Sequence, residues 1–425
     1  MNYPESVQYL YALGNELKVG AKLGLETMQL LLTELGHPER GQRFVHVAGT
    51  NGKGSTCAMI ANSLRQAGLR VGLYTSPHLI EPTERIQLNG IQVSREEFTR
   101  AFDFVHSAAE ALLNRGTLEF HPSYFETVTA MALVIFRGQC DISVMEVGLG
   151  GRLDATNVIT PELCVITPVA FDHESFLGNT LEAIAAEKAG ILKSRVPAIL
   201  AKQAPAVTEV IAQRASQLGC SLTRSEETSV AIKAVDPDGS TFQVDEISYR
   251  CALPGRHQIE NALTAILASR NLNVPDHEVQ AGLENVRWPG RLEFIARHPT
   301  LILDGAHNPA GAAALAAYIR EFWSNAPVWL VYGAMRDKAI EEITDQLFPL
   351  ASRVILTAPN FARAIRPDAI AAITRRKDAL LTQTVEEAIA IAASAPRDAV
   401  VFFAGSLFVV GEARGLLLRD KAIVS

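Results

Sequence analysis

A glycine-rich stretch contains the first residues that could bind a phosphate group. It consists of Gly49, Thr50, Asn51, Gly52, Lys53, Gly54 and Ser55. It follows an apolar run, Phe44–Ala48, that predicts a buried strand, and it opens a helical pattern over 55–66. Glycines let backbone N–H groups turn toward phosphate oxygens, and a helix N-terminus adds positive potential. Lys53 would add a point charge at the β- and γ-phosphates, so the stretch predicts a nucleotide-triphosphate site.

This loop departs from the common pattern G-x-x-x-x-G-K-[ST]. Val47 stands at the first glycine position, and Gly54 stands where Ser or Thr is expected. The alternative is a glycine-rich turn with an incidental lysine. The setting between a strand and a helix favours the phosphate loop.

Polar side chains also end the neighbouring predicted strands. Glu146 ends an apolar run over 142–147, and Asp172-His173 follows a run over 163–169. Ser76 follows a third predicted strand and could add a hydroxyl ligand. Mg²⁺ prefers one or two carboxylates together with phosphate oxygens, so these positions predict a magnesium site. A lone histidine is more often structural, but the matching placement of Glu146 and His173 favours a ligand.

Short apolar strands alternate with longer helical stretches along the whole chain. This alternation predicts a P-loop-type, mainly parallel α/β sheet over residues 1–290, with a small antiparallel excursion at the sheet edge between Leu222 and Ala252. Pro289 and Gly290 stop a helix. A second, smaller Rossmann-like α/β domain is then predicted over residues 291–425. Its predicted strands are Thr300–Leu303, Val328–Val331, Val354–Leu356 and Val400–Phe403.

Composition limits the class of protein. The 425 residues are 48% apolar and carry a formal charge of −7, which argues against nucleic acid as a partner. The five cysteines are widely spaced, which indicates reduced thiols and a cytoplasmic location. No apolar run reaches the roughly 20 residues that a membrane helix needs, so no membrane partner is expected.

Together these motifs resemble the folylpolyglutamate synthase/dihydrofolate synthase family of the Mur ligase superfamily. The resemblance spans nearly the whole chain and rests on the phosphate loop, the Glu146 signature and further matching segments. Those segments are 75–78, 123–126, 186–190, 304–309 and 405–407. The phosphate loop alone would indicate only the superfamily, whereas its combination with Glu146-Val147-Gly148-Leu149-Gly150-Gly151 is specific.

The resemblance implies roles for single residues. The loop with Lys53 would bind ATP, and further ATP contacts would come from Asn261, Arg291 and Asp304. The Mg²⁺ ligands would be Ser76, Glu146 and His173. Lys188 matches a lysine that is carbamylated in many members, where it holds a second Mg²⁺. From the residue pattern alone, Lys188 would be an exposed helix lysine.

The resemblance also implies a substrate side. Its candidate residues are Arg85, Ser123, Tyr124, Phe125, Glu126, Asp154 and Ser406. The segment 123–126 would line the pterin or folate, although its aromatic side chains would also suit the core. Arg85 would bind an anionic tail, the alternative being a surface ion pair. His307 and Ser406 would lie near the incoming glutamate, with His307, Lys53 and Lys188 as the catalytic candidates.

The implied reaction is an ATP-dependent ligation that joins L-glutamate to the tail carboxylate of folate through an acyl phosphate. Lys22 stands where some bifunctional members, which also load dihydropteroate, carry an acidic residue. This departure weakens the case for dihydrofolate synthase activity. Two alternatives stay open: another Mur-type amide ligase, and a nucleotide-binding switch. The family also suggests a monomer.

Overall fold

A computed structural model describes residues 1–14, 24–374 and 376–424 of the chain. Lys22 therefore lies outside the described residues. The chain forms two compact units. Unit 1 comprises Met1–Val169, Ser175–Ser229 and Glu260–Asn285, and unit 2 comprises Ala170–Glu174, Val230–Ile259 and Val286–Ser425. The domain division after residue 290 stays a prediction, since unit 2 also takes in Val230–Ile259.

Helices and strands alternate along most of the chain. The α-helices are α1 (Tyr3–Ala12), α2 (Glu26–Glu34), α3 (Lys53–Gln66), α4 (Arg95–Asn114), α5 (Tyr124–Phe136), α6 (Glu174–Leu177), α7 (Leu181–Ala189), α8 (Pro205–Leu218), α9 (His257–Asn271), α10 (Asp276–Glu284), α11 (Pro309–Phe322), α12 (Ile340–Leu347), α13 (Pro367–Thr374), α14 (Val385–Ala392) and α15 (Leu407–Val424). The strands are β1 (Phe44–Ala48), β2 (Val71–Tyr74), β3 (Ile86–Leu88), β4 (Ile91–Gln92), β5 (Ile142–Glu146), β6 (Leu163–Ile166), β7 (Ala198–Leu200), β8 (Leu222–Arg224), β9 (Val230–Asp236), β10 (Gly239–Val244), β11 (Ile247–Cys251), β12 (Glu293–Arg297), β13 (Thr300–Leu303), β14 (Val328–Tyr332), β15 (Arg353–Leu356), β16 (Leu380–Leu381) and β17 (Val400–Ala404).

Unit 1 contains a mainly parallel sheet in the order β4-β3-β2-β5-β1-β6-β7-β8. Only the pairs β2/β3 and β3/β4 are antiparallel among the described strands. Every residue of β1, β2, β5 and β6 is buried. Such continuous apolar runs suit parallel strands that are covered on both faces. The predicted mainly parallel sheet is therefore confirmed.

Two groups of buried side chains hold unit 1 together. One gathers apolar residues of α1, α2, α4 and α5, including Leu10, Phe102 and Met131. The other gathers residues of α7, α8, β6 and β7, including Ile184 and Ile211. Each fully buried aliphatic side chain stabilises the fold by about 1.5–3 kcal/mol. The strands are thus fixed firmly enough to position side chains at their ends.

Unit 2 contains two sheets. The larger has the order β12-β13-β17-β14-β15-β16, in which only β12/β13 is antiparallel among the described strands. The other is the antiparallel meander β11-β10-β9. The predicted antiparallel excursion is confirmed by β9, β10 and β11. Its expected place at the edge of the first sheet is wrong, because β8 ends that sheet and the meander pairs only with itself among the described strands. Asp245 and Glu246 both have positive φ, as a tight two-residue hairpin turn requires.

Among the described residues, no helix is long and apolar enough to cross a membrane.

Candidate functional site

The carboxyl ends of four neighbouring parallel strands form one edge of the unit 1 sheet. In the sheet these strands follow the order β2, β5, β1, β6. Ser76 lies two residues after β2, Glu146 ends β5, and Gly49 follows β1. Val47 pairs with Glu146 across β1 and β5. The topology therefore brings the glycine-rich loop, Glu146 and Ser76 together at this edge, which we call the loop edge.

Two glycines give the loop its shape. Gly49 has φ +148° and Gly52 has φ +82°, a region that side-chain-bearing residues rarely adopt. A Cβ at Gly49 would overlap Thr167, and a Cβ at Gly52 would overlap the amide of Asn261. Asn261 is buried in α9. The predicted ATP contact Asn261 thus lies directly against the loop.

The loop backbone is also held by hydrogen bonds. The N–H groups of Thr50 and Asn51 donate to the carbonyl of Pro168 at 2.9 and 3.1 Å. Helix α3 begins directly after Gly52, and the Lys53 ammonium donates to the Thr50 carbonyl at 3.2 Å. The ammonium is therefore held over the loop, where a phosphate would be neutralised.

Glu146 is a buried carboxylate, 4% exposed. Its Oε2 accepts a hydrogen bond from the backbone N–H of Ser76 at 3.0 Å. This bond joins the ends of β2 and β5. A carboxylate buried at a strand end beside a phosphate-type loop is the donor that a magnesium site needs.

Lys188 lies in α7 and is only 3% exposed. Its Nζ donates to the carbonyl of Gly49 at 2.8 Å. The interpretation of Lys188 as an exposed helix lysine is therefore wrong. Burial of this amine at the loop edge could not be predicted from helical spacing, because it depends on how α7 packs.

Glycine contacts explain why α7 approaches the loop edge so closely. A Cβ at Gly151 would come 2.8 Å from the Glu187 carbonyl, and a Cβ at Gly190 would overlap Arg152. The Arg152 N–H donates to the Glu187 carbonyl at 2.8 Å. The segment after Glu146 and the end of α7 are thus packed backbone against backbone, which fixes the position of Lys188.

Arg85 is the buried cation in a cluster of aromatic and basic side chains. It is 4% exposed, so it does not lie on the protein surface. Its guanidinium lies 5.0 Å from the ring centroid of Tyr124, and its Nε donates to His78 Nδ1 at 2.9 Å. His78 Nε2 therefore carries the hydrogen and donates to the Tyr11 hydroxyl at 3.2 Å. The rings of Tyr11 and Tyr124 stack at 5.8 Å.

Burial, and then the Arg85 charge, hold the pKa of His78 well below its ordinary value. The ring is therefore neutral and serves as a hydrogen-bonding bridge between Arg85 and Tyr11. Neither His78 nor Tyr11 was predicted to be a site residue. The sequence does contain one indication of this cluster. His78 follows the end of a predicted strand, and Arg85 lies seven residues later.

The segment 123–126 forms the start of α5. Ser123 and Glu126 make a capping box: the Glu126 carboxylate accepts from the Ser123 N–H at 2.8 Å, and Ser123 Oγ accepts from the Glu126 N–H at 3.3 Å. Tyr124 and Phe125 are both buried in the core. The Phe125 ring lies where a Cβ of Gly148 would be, with 2.5 Å to its Cζ. The predicted folate segment thus packs on the Glu146 signature.

Ser123→Ala is expected to lower the free energy of unfolding by about 1 kcal/mol, because the helix loses its N-cap acceptor. Urea denaturation measures this. Ser94→Ala is the matched control, since Ser94 caps α4 in the same way. If Ser123 also contacts folate, the KM for folate rises only in the Ser123 variant. An unchanged unfolding midpoint in Ser123→Ala would contradict the capping role.

Asp154 is held entirely by local contacts in the described structure. Its carboxylate accepts from the N–H of Leu149 at 2.9 Å and from the N–H of Thr156 at 3.0 Å. Burial raises its pKa to about 6, although hydrogen bonds led by that of Thr156 oppose the rise. These contacts give Asp154 a structural role in the turn after Glu146. Its role in substrate binding stays a prediction.

The candidate residues Arg291, Asp304 and Ser406 lie in unit 2. The buried carboxylate of Asp304 accepts from the N–H groups of Leu292 and Ala306 at 2.9 and 3.0 Å. Burial raises the pKa of Asp304, and Arg291 opposes that rise. These bonds tie the end of β13 to the segment that carries Arg291. Ser406 is buried at the end of β17 and accepts from the Phe408 N–H at 3.1 Å, which caps α15.

A second cluster in unit 2 centres on Asp172. Lys338 Nζ lies 2.6 Å from its carboxylate, Asn308 Nδ2 lies 3.3 Å away, and His307 Nε2 lies 3.5 Å away. His173 Nε2 lies 3.8 Å from the same carboxylate. Burial alone would raise the pKa of Asp172, but these basic neighbours hold it well below its usual range.

Within this cluster the predicted residues His173 and His307 share a partner. Burial lowers the pKa of His173 to about 4, and the Asp172 charge opposes this. His307 Nδ1 carries a hydrogen, since it bonds the Gly305 carbonyl at 2.8 Å. The sequence interpretation missed Lys338. Its position shortly after β14, another parallel strand, is a signal that could have found it.

Two family models match the chain. The Mur ligase middle domain matches residues 47–269, and the Mur ligase glutamate ligase domain matches residues 290–407. Together they cover both the loop edge and the Asp172 cluster.

Full-length relatives are similar over most of the chain. The dihydrofolate synthase/folylpolyglutamate synthase of Bacillus subtilis is 39% identical over 82% of this chain and 84% of its own. The folylpolyglutamate synthase of Lacticaseibacillus casei is 33% identical over 99% of this chain and 100% of its own.

Solved structures have the same fold. The Mycobacterium tuberculosis folylpolyglutamate synthase complexed with ADP and AMPPCP superposes with a TM-score of 0.89 at 29% identity, over 98% of this chain and 99% of that one. The Escherichia coli protein FolC in complex with DHPP and ADP gives 0.88 at 30% identity, over 99% of each chain. With both domains matched and relatives aligned nearly end to end, the chain belongs to the folylpolyglutamate synthase/dihydrofolate synthase family of Mur ligases.

Proposed function

We propose that this chain is an ATP-dependent ligase that adds L-glutamate to the tail carboxylate of folate through an acyl phosphate. The observation that carries the proposal is the loop edge. There a glycine-shaped loop with Lys53 lies beside the buried carboxylate of Glu146 and the buried amine of Lys188. These are the charges that phosphoryl transfer to a carboxylate requires, in a chain of a glutamate-ligase family.

ATP is the nucleotide in this proposal. Its phosphates would contact the loop residues and Lys53, with Asn261 against Gly52. Complexes of the Mycobacterium tuberculosis relative with ADP and AMPPCP support this choice. Arg291 and Asp304 of unit 2 stay predicted contacts to ATP.

The residues at the loop edge fit a magnesium ion. Glu146 offers a buried carboxylate oriented by the Ser76 N–H, and the Ser76 hydroxyl is the second predicted donor. Mg²⁺ held here would neutralise charge on the transferring phosphoryl group. His173 stays a predicted ligand.

We propose that the neutral amine of Lys188 adds to the carbon of CO₂ and releases one proton to solvent, and that the resulting carbamate would hold a second Mg²⁺. The reaction needs a neutral amine, and burial disfavours the charged form of a lysine. The fixed position of Lys188 beside Gly49 supports the proposal, because a carbamate there would add an anion at the loop edge.

The chemistry takes two steps. A carboxylate oxygen of folate attacks the γ-phosphorus of ATP, the bond to the β–γ bridging oxygen breaks, and ADP leaves. The neutral amine of glutamate then attacks the acyl carbon, inorganic phosphate leaves, and the amine loses a proton. Lys53 holds the phosphates in line, so the chain contributes mainly positioning and charge neutralisation. No serine or cysteine nucleophile is required.

The folate is proposed to lie on the Arg85–Tyr124 side. Arg85 supplies a buried cation for an anionic tail, and the adjacent stacked rings suit a flat heterocycle. His307 and Ser406 stay predicted neighbours of the incoming glutamate. The proposal includes a monomer in the cytoplasm, and the five free thiols support that location.

A substrate panel tests the proposal. Purified protein with ATP and Mg²⁺ is given dihydropteroate, dihydrofolate or tetrahydrofolate, each with and without glutamate, or a nucleotide-sugar peptide with alanine. ADP release and the product mass are measured. We expect glutamate-dependent ADP release with tetrahydrofolate and a product heavier by one glutamyl residue. ADP release that ignores glutamate would favour the nucleotide switch. Activity only with nucleotide-sugar peptides would favour another Mur ligase.

The second candidate function is the additional loading of dihydropteroate. The Bacillus subtilis relative is named for both activities. The same panel decides it, because turnover with dihydropteroate would establish the bifunctional enzyme. A lack of turnover with dihydropteroate would agree with Lys22, which stands where some bifunctional members carry an acidic residue.

A further inference from the structure

Two histidines and a glutamate form a cluster to which none of the site residues described above belongs. His106 and Glu110 lie one turn apart on α4, and His121 lies in the segment that leads into α5. One ligand atom of each lies within 4.8 Å of the other two. All three side chains are partly exposed, so an ion could reach them from solvent.

The spacing of the two histidine nitrogens fits a zinc ion. His106 Nδ1 and His121 Nε2 lie 3.3 Å apart. Ligands about 2.0–2.1 Å from a tetrahedral zinc lie about 3.3–3.4 Å from each other. Glu110 Oε1 lies 4.0 Å from His106 Nδ1, and its side chain is 44% exposed, so a small rotation brings the carboxylate to the same distance.

A hydrogen bond holds His121 in the tautomer that can bind a metal through Nε2. Its Nδ1 lies 2.9 Å from the Pro122 carbonyl, which can only accept, so Nδ1 carries the hydrogen. Its Nε2 therefore carries an electron pair, which accepts a hydrogen bond from His106 Nδ1 at 3.3 Å when no metal is bound. A backbone carbonyl that fixes the tautomer in this way is typical of metal-binding histidines.

Neighbouring rings fix the orientation of the ligands. The Tyr9 ring packs edge-on against His106 and His121, with centroid distances of 4.6 and 5.7 Å. Phe102 stacks on His106 at 5.4 Å.

We propose that His106, Glu110 and His121 form a binding site for one zinc ion, with water as the fourth ligand. When the ion binds, His106 uses the Nδ1 electron pair, and the Nδ1 proton moves to Nε2 of the same ring through solvent. Nitrogen ligands select zinc over Mg²⁺, so this site is chemically distinct from a magnesium site at the loop edge. The ion would fasten α4 to the segment preceding Ser123.

The test uses the full-length protein, freed of metal by a chelator and without nucleotide. Co²⁺ is titrated alone, and the visible absorption of four-coordinate cobalt is recorded. We expect one Co²⁺ per chain and loss of the band when Zn²⁺ is added, since zinc binds such sites more tightly. A spectrum of six-coordinate cobalt only would overturn the proposal.

Three variants and one matched control locate the ion. His106→Gln, Glu110→Gln and His121→Gln are expected to weaken Co²⁺ binding at least 10-fold, which follows the loss of one ligand. Glu119→Gln makes the same charge change at an exposed position two residues from His121 and is expected to bind normally. If Glu110→Gln and Glu119→Gln bind Co²⁺ with the same affinity, the proposal is wrong.

Two further measurements separate this site from the loop edge. Glu146→Gln is expected to retain the cobalt band, and loss of the band there would place the ion elsewhere and overturn the proposal. Zn²⁺ is expected to raise the Tm of the wild-type protein and of Glu119→Gln, but not of Glu110→Gln. If Zn²⁺ raises the Tm of all three proteins by the same amount, the proposal is also overturned.

Discussion

Glu146→Gln is expected to lower kcat for glutamate-dependent ADP release by on the order of 10³-fold. A carboxylate that holds Mg²⁺ supplies several kcal/mol of charge stabilisation in the transition state, and about 1.4 kcal/mol corresponds to a tenfold change in rate. Glutamine is the informative replacement because its amide oxygen can still accept the Ser76 N–H. The fold should therefore survive while the charge is lost. Steady-state kinetics over a range of Mg²⁺ concentrations measures the effect.

Controls make the Glu146 result specific. Glu182→Gln removes the same charge from an exposed position on α7 and is expected to have normal activity. The thermal unfolding midpoint of Glu146→Gln should lie close to that of the wild-type protein, whereas Glu146→Ala also loses the bond to Ser76 and should be less stable. Normal turnover by a folded Glu146→Gln protein would refute the metal assignment.

Lys188→Ala is expected to lower kcat by about 10²-fold or more and to recover part of the activity when a short carboxylic acid is added. The acid would occupy the space of the missing carbamate and restore an anion at the loop edge. Removal of one preorganised charged group from a catalytic site costs about 10²–10³-fold in rate. Activity is measured across a series of acetate and propionate concentrations.

Lys53→Ala is the matched control for this rescue. It also removes a lysine from the loop edge, but one whose role is that of a cation, so carboxylic acids should not restore it. A fully active Lys188→Ala protein would show that carbamylation is irrelevant. Loss of activity without any rescue would instead assign Lys188 a structural role through its bond to Gly49.

The regular elements could largely be predicted from the sequence, because buried parallel strands are short apolar runs. The predictions for Phe44–Ala48 and Thr300–Leu303 agree with the strands to the residue. The placement of the β9–β11 meander could not be predicted. Alternating polar and apolar residues show that strands pair, but not which sheet they join.

The contacts between distant segments were the least predictable part of the candidate site. Lys338 binds Asp172 from 166 residues away, and neither hydropathy nor spacing connects them. Lys188 resembles a surface lysine in the sequence because its burial depends on the close contact between the end of α7 and the segment after Glu146, which Gly151 and Gly190 allow. By contrast, Glu146 could be found directly, since a carboxylate at the end of an apolar strand is costly to bury without a cation or hydrogen-bond donors beside it.

The phosphate loop depends on residues that are made much later in protein synthesis. The Gly49 carbonyl is bound by Lys188, 139 positions further along the chain, and Gly52 packs against Asn261. A ribosome adds about 5–20 residues per second. Asn261 is therefore synthesised roughly ten seconds or more after Gly52. A chain that has been translated only as far as the start of α9 therefore cannot complete its nucleotide site, and fragments that end before α9 would be poor material for binding studies.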